Sequence, residues 1–252
     1  RQRQMCIRDS FRTLLNVSPA TPAITVMHGS ASVSCSDPGT LKNSGDEGEA
    51  VLDTEWAGAV APMAALLYMS CQDVLLSAQA VVEDNLAPVM SLSYGNTEVG
   101  FSTQNTIFAN LWEQAAAQGQ TVVVSAGDAG SGNSADQNKS IATHGLAVNG
   151  LASSGYNVAA GGTDFQDAFN QIVSGTTTFN LAHYWLASNP TGTGLSSALS
   201  YVAETTWNNT CASPLLIYRW DTSTTPNALC DDATHGPNYY CLLYTSPSPR
   251  DR

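Results

Sequence analysis

Two acidic side chains in the first quarter of the chain have the spacing of neighbours on one face of a helix. Glu49 and Asp53 are four residues apart, so on an α-helix they are neighbours on one face. An apolar stripe with the same spacing runs beside them: Leu52, Trp56 and Val60. We expect this stripe to turn both carboxylates towards the core, where they disfavour double ionisation and one of them holds a proton. The alternative is that both acids only complement the dipole of the helix N-terminus. Glu55 is expected on the solvated face of the same helix.

A third acid, Asp128, lies in the glycine-rich turn 125–130, directly after an apolar run. Glycines let a ligand approach the backbone closely, and a protonated carboxyl in that position can donate a hydrogen bond to a developing oxyanion. The alternative is a turn aspartate that bonds to its own backbone. The turn lacks the Gly-Lys-Ser/Thr ending of a phosphate-binding loop, which argues against a nucleotide site.

Short apolar runs alternate with helical patterns along the chain. Buried strands are predicted over residues 23–28, 65–70, 89–94, 121–126 and 156–160. Helices are predicted between them, over residues 49–60, 72–84 and 103–118. Strands that alternate with helices predict an α/β fold with a parallel sheet covered on both faces. From about Asp164 onward Ser, Thr, Asn and Gly dominate, so we expect long surface loops of the same domain.

Two predicted strands end in polar, glycine-containing turns, at residues 91–98 and 125–130. In parallel sheets, ligands bind beyond the carboxyl ends of the strands. Both turns are therefore candidate sites on geometry alone.

Five segments of the chain resemble, in the same order, the sedolisin (kumamolisin-like) family of serine-carboxyl peptidases. The segments are GEAVLDTEWAGAVAP (48–62), SLSYGNTE (91–98), VVVSAGDAGS (122–131), AAGGTDF (159–165) and ETTWNN (204–209). The resemblance covers roughly residues 11–235. It implies an incomplete α/β fold of the subtilisin-like kind, with a doubly wound, mostly parallel sheet and helices on both faces.

The resemblance implies a role for each candidate residue. Glu49 matches the general base of the family, Asp53 its partner, and Asp128 the acid that stabilises the oxyanion. The residues that match its substrate-binding segments are Ser93, Tyr94, Gly95, Ser125 and Gly127. Tyr94 stands where the family usually has Trp, which is a mild departure from the pattern.

The nucleophile of the family is not found in this sequence. The family serine lies in Gly-Thr-Ser, a tripeptide that does not occur here, and the Ser-Gly-Gly-Gly segment that follows Trp-Asn is absent too. The aspartate-rich calcium site is also absent, so calcium is expected in the intact family member and no metal site is predicted in this chain. The resemblance thus predicts roughly the first two-thirds of a catalytic domain, which is inactive by itself.

In an intact relative, the serine attacks a peptide carbonyl while Glu49 takes its proton. An ordinary glutamate titrates near pH ~4.3, so such a base works in acid, where a histidine would be protonated. The histidines of this chain have no such setting and are interpreted as structural: His28, His144, His183 and His235.

Two other functions stay open. One is a non-catalytic peptide-binding relative of the same fold, which Ala or Gly at the nucleophile position would favour, whereas Ser there would favour the peptidase. The other is an α/β nucleotide-binding module, against which the missing basic residue of the glycine-rich turn argues.

The composition limits the classes of partner that this protein is expected to bind. A formal net charge of −12 argues against nucleic acid or an anionic membrane surface. No apolar run reaches the ~18 residues that a membrane span needs. Charged residues make up 12%, about half the usual share, as suits either an acidic working environment or an ordinary acidic secreted protein. We expect a peptide or protein substrate and a monomer when intact.

The two ends differ in composition from the rest. Residues 1–10 and 241–252 are rich in arginine and resemble translated adapter sequence, so the partial peptidase catalytic domain is assigned to residues 11–240. The cysteines within that domain are Cys35, Cys71, Cys211 and Cys230. They suit an oxidising compartment and therefore a secreted, extracellular protein, and the alternative is that they are buried free thiols. Cys211 and Cys230 are close enough for a local disulfide, but the spacing leaves the pairing open.

Overall fold

The computed structural model describes residues 12–14, 16–18, 24–39, 45–128, 130, 147–167, 170, 182, 184–188 and 197–207. These residues divide into two compact units. The first unit takes those within Arg1–Ser93, Gln114–Thr121 and Ala182–Leu199. The second takes those within Tyr94–Glu113, Val122–Leu181 and Ser200–Arg252. The proposed adapter-like ends and the cysteines Cys211 and Cys230 lie outside the described residues.

Strands and helices alternate along the described chain. The strands are β1 Ile24–Met27, β2 Leu66–Met69, β3 Val89–Leu92, β4 Thr121–Ser125, β5 Val158–Ala160, β6 Thr163–Phe165 and β7 Glu204–Thr206. The helices are α1 Gly45–Val60, α2 Val74–Glu83, α3 Glu98–Phe101 and α4 Gln104–Ala117, with a short 3-10 helix at Gly150–Ala152. The positions of all five predicted strands and all three predicted helices are confirmed, with ends that differ by a few residues. The prediction that the strands are buried is wrong for β5, whose three residues are exposed, and for Thr25 and Val26 in the middle of β1.

In the first unit, α1 connects two parallel strands. β1 pairs with β2 from Ile24 opposite Leu66 to Met27 opposite Met69. A disulfide joins Cys35 to Cys71, with Cα atoms 5.5 Å apart, so it ties the segment before α1 to the end of β2. The sequence had left this pairing open, and the structure now assigns it.

Helix α2 begins at a capped end and buries small apolar side chains. The Asp73 carboxylate accepts a hydrogen bond from Leu75 N at 2.7 Å, which satisfies one of the free N–H groups of the first turn. The helix residues that are buried are Ala78, Ala80, Val81 and Val82. Gln120 then fastens the far end of this helix, because its Nε2 donates to Val81 O at 3.2 Å and to Ala87 O at 2.8 Å.

In the second unit, β4 and β5 are parallel, with Val123 opposite Val158 and Ser125 opposite Ala160. Its buried apolar side chains are Phe108, Leu111, Trp112, Val122, Val124 and Leu151. The Trp112 indole is fully buried and donates to Leu151 O at 2.8 Å, so its one polar atom is satisfied. Both units contain parallel strands, and helices lie between successive strands along most of the described chain, so this is an α/β fold.

We expected the region after about residue 164 to consist of loops, but it contains strands as well. β6 and β7 pair antiparallel, with Thr163 opposite Thr206 and Phe165 opposite Glu204. Both strands have three residues, too few to show an alternating pattern, and they lie about 40 residues apart in the sequence. The prediction of loops is therefore wrong for these two segments.

Candidate active site

Helix α1 brings one member of the predicted acid pair to strand β3. Asp53 is half-buried, and its Oδ1 accepts a hydrogen bond from Ser93 Oγ at 2.8 Å. Ser93 directly follows β3 and is the first of the predicted substrate-binding residues. Two predicted site residues that are 40 positions apart in sequence are thus in direct contact.

An open groove of about 410 Å³ lies beside this contact. Its lining residues are Leu52, Asp53, Trp56, Ala57, Val60 and Ser91. The apolar stripe of α1 shares a face with Asp53, as the spacing predicts, but that face is not the core face. Leu52, Trp56 and Val60 are 47%, 55% and 82% exposed, and Glu49 is exposed as well. The expectation that the stripe turns both carboxylates inward is therefore wrong.

Small residues explain which side of α1 is buried. Ala50 and Gly58 lie on the buried side, and the fully buried Arg12 donates from Nη1 to Gly58 O at 2.5 Å. A Cβ at Gly58 would lie 2.9 Å from that nitrogen, so glycine permits the close approach. The helix therefore buries the side that carries its small residues and leaves its larger apolar side chains exposed.

Glu55 lies on this buried side, so the expectation that it is solvated is wrong. It is 8% exposed, and within the described residues its Oε1 has no hydrogen-bond partner. Burial raises the pKa of the Glu55 carboxyl above its ordinary value, because the charged form loses water.

Tyr68 on β2 is an additional neighbour of Asp53. Burial raises the pKa of the Tyr68 phenol, and the negative charges of Asp53 and Asp46 raise this pKa further. The sequence placed Tyr68 only in a buried strand, since an apolar run gives no signal for a polar atom that faces a carboxylate on another element.

In the second unit, one buried side chain connects two predicted substrate-binding segments. Asn149 is 2% exposed, and its Nδ2 donates to Tyr94 O at 3.1 Å and to Ser125 O at 2.7 Å. Gly95 lies against the same side chain, because a Cβ there would collide with the Asn149 amide. A single asparagine outside the five quoted segments gave no signal in the sequence.

The predicted oxyanion residue is held through its backbone. The Trp207 indole donates to Asp128 O, and Trp207 N donates to Gly162 O at 3.2 Å. Gly127, just before Asp128, has a φ of 98°, which a residue other than glycine rarely adopts. The Asp128 side chain itself is exposed. Ala126 N donates to Ala160 O at 2.7 Å, so the described residues of the turn contact both Ala160 and Trp207, which belong to two of the other quoted segments.

The structure places the candidate residues in two groups. Glu49, Asp53 and Ser93 belong to the first unit. The second unit contains Tyr94, Gly95, Ser125, Gly127 and Asp128.

Neither a metal centre nor a membrane helix is found in the part of the chain that the structure describes. No group of three or more His, Cys, Asp or Glu side chains there is arranged to hold a metal ion. Calcium stays an expectation for intact relatives. Among the same residues, no helix has both the length and the apolar character needed to cross a bilayer.

Comparison with known proteins identifies the fold. The sequence matches no family model and no curated protein. A solved structure that it resembles is a Pseudomonas sedolisin, a serine-carboxyl proteinase complexed with two molecules of pseudo-iodotyrostatin. The two chains share 24% identity with a TM-score of 0.51, over 65% of this chain and 46% of that one. This chain thus has a sedolisin-like α/β fold and spans less than half the length of that protein.

Proposed function

We propose that this chain supplies the carboxyl groups of the catalytic centre of an acid-acting serine endopeptidase. The observation that carries the proposal is the 2.8 Å hydrogen bond from Ser93 to Asp53 at the edge of the α1 groove. It joins an acid of the predicted pair to a residue of the predicted substrate-binding segment. The sedolisin-like fold supports the same reading.

In the proposed mechanism, Glu49 is the general base. It takes the proton of a serine hydroxyl while the serine oxygen forms a bond to the peptide carbonyl carbon, and the carbonyl electron pair moves to its oxygen. In its protonated form, Asp128 donates a hydrogen bond to that oxyanion. Glu49 then returns the proton to the leaving amine as the C–N bond breaks, and water hydrolyses the acyl-enzyme. Asp53, itself held by Ser93, orients Glu49 from one helical turn away.

This chain does not contain the serine of this mechanism in its family motif, because the tripeptide Gly-Thr-Ser does not occur in the sequence. We therefore propose that the 252-residue chain is inactive by itself and that a longer product of the same gene is active. Its substrates are peptides or proteins, and it works as a monomer without nucleic acid or membrane partners. The Cys35–Cys71 disulfide supports an extracellular location, because such bonds persist in oxidising compartments.

The test is to sequence the source DNA across both ends and express the uninterrupted reading frame. Cleavage of oxidised insulin B chain is then measured from pH 3 to pH 7. We expect an acidic optimum, and a loss of kcat of about 100-fold or more in each of Glu49→Gln, Asp53→Asn and Asp128→Asn. Glu83→Gln is the matched control, because Glu83 is an exposed carboxylate on α2.

A folded product that cleaves nothing, or that keeps full activity in Glu49→Gln, would overturn the peptidase. The second candidate is a peptide-binding relative without catalysis, which the missing Gly-Thr-Ser favours. It predicts that the B chain binds and stays intact and that the reading frame has Ala or Gly at the serine position.

A further inference from the structure

Asn149 uses its side-chain amide to join two backbone segments. Its Nδ2 donates to the carbonyl oxygens of Tyr94 and Ser125, and its Oδ1 accepts from Leu151 N at 3.0 Å. Two carbonyl acceptors on one side and an N–H donor on the other fix which amide atom is nitrogen. With the residue 2% exposed, both amide hydrogens are used and no water is needed to satisfy them.

The backbone on either side of Asn149 is fixed as well. Asn149 forms an antiparallel bridge with Thr97. Val148 O accepts from Glu98 N at 3.0 Å, and Gly150 N donates to Asn96 O at 2.9 Å. The amide therefore projects from a backbone that cannot shift without breaking these bonds.

Gly95 shows how close this approach is. Its backbone is not among the glycines of positive φ, so the conformation alone does not require glycine. A Cβ at this position would collide with all three terminal atoms of the Asn149 side chain. Glycine is needed at position 95 because the amide of Asn149 occupies the space.

We propose that Asn149 is a positioning residue that sets the distance between the Tyr94–Gly95 turn and the end of β4 at Ser125. This rests on the proposed function, in which these two segments hold the substrate peptide. Without the amide, two carbonyl groups lose their donor and the segments are free to separate. A peptide that must contact both segments then binds more weakly.

The test is the affinity of the 252-residue chain for rhodamine-labelled oxidised insulin B chain, measured by fluorescence anisotropy at pH 4. We expect Asn149→Ala to raise Kd by about tenfold or more, at a temperature where circular dichroism shows the variant to be folded. Asn157→Ala is the matched control. Asn157 also bonds to backbone, through Ala152 O and Ser154 N, but it contacts neither segment.

Gly95→Ala and the double variant Gly95→Ala, Asn149→Ala give an independent readout. Because Asn149→Ala removes the colliding amide, the double variant should bind no more weakly than Asn149→Ala alone. Losses of affinity that simply add would overturn the proposed geometry.

The two proposals fail in different assays. If the uninterrupted product cleaves the B chain but a folded Asn149→Ala chain binds it as tightly as the unmodified chain does, the positioning role is wrong and the peptidase stands. If Asn149→Ala and Asn157→Ala weaken binding equally, the effect is one of stability and the positioning role is again wrong. If the product neither binds nor cleaves the B chain, the proposed function fails and the positioning role fails with it.

Discussion

Ser93 Oγ donates a hydrogen bond to Asp53 Oδ1 over 2.8 Å, which connects helix α1 to the residue that follows β3. Hydrogen bonds to a charged group are stronger than those between neutral groups, and this one is partly shielded from water. It restricts the rotation of the Asp53 side chain. In the proposed mechanism, this restriction sets the orientation of the Asp53 carboxylate relative to Glu49.

Removing either side chain should therefore destabilise the chain, and the two effects should not add. We expect a coupling free energy of about 1 kcal/mol between Ser93→Ala and Asp53→Ala in a double-mutant cycle of urea unfolding. Thr54→Val is the control, because the Thr54 hydroxyl bonds to Ala50 O within the helix rather than to the Asp53 side chain. Additive effects of the two substitutions would show that the bond is absent in solution.

The sequence pattern predicted the elements that bury long apolar runs. β4 contains three consecutive valines, and two of them, Val122 and Val124, are almost fully buried. A continuous apolar run of this kind is typical of a buried parallel strand. The same reasoning placed Asp53 on one face with Leu52 and Trp56, and the groove confirms that shared face.

The pattern failed where packing depends on small or single polar residues. Hydrophobicity ranks Trp56 above Gly58, but Gly58 lets the helix approach Arg12 and so decides the buried side. Asn149 depends on backbone carbonyls that a sequence does not show to be neighbours. Both failures concern distances between elements, which periodicity along one element does not encode.

Glu55 should lower the stability of the chain near neutral pH. Its folded-state pKa is raised above 4.5 by burial, so folding opposes ionisation, and the penalty grows as the pH rises above that value. We expect Glu55→Gln to increase the free energy of unfolding by about 1 kcal/mol at pH 7 and to change it little at pH 3, where the carboxyl is protonated in both states. Thermal unfolding at both pH values measures this, with Glu83→Gln as the exposed control. An equal gain at pH 3 would contradict the assignment.

Asp84 should stabilise the chain in acid. The Ser30 and Ser32 hydroxyls and the Ser32 N–H donate to its carboxylate and lower its pKa from 3.8 to about 2. A lowered folded-state pKa gives stability that is present above pH 3.8 and is lost as the pH falls through about 2. We expect Asp84→Asn to lower the Tm slightly at pH 5 and by clearly less near pH ~2, where the carboxyl is already largely protonated in the unfolded state and partly so in the folded state. A Tm difference that persists unchanged at the lower pH would contradict this explanation.

Of the interactions considered in these predictions, the Cys35–Cys71 disulfide should contribute most to the free energy of unfolding. The bond spans 36 residues and encloses α1, which carries Glu49 and Asp53, so it shortens the loop that folding must order. On the loop-entropy estimate, Cys35→Ser, Cys71→Ser should lower the free energy of unfolding by about 4 kcal/mol. The measurement is urea unfolding with and without a reductant. The unmodified chain should lose stability on reduction, whereas the double variant should be much less sensitive. A double variant as stable as the oxidised chain would show that α1 is held in place by its packing alone.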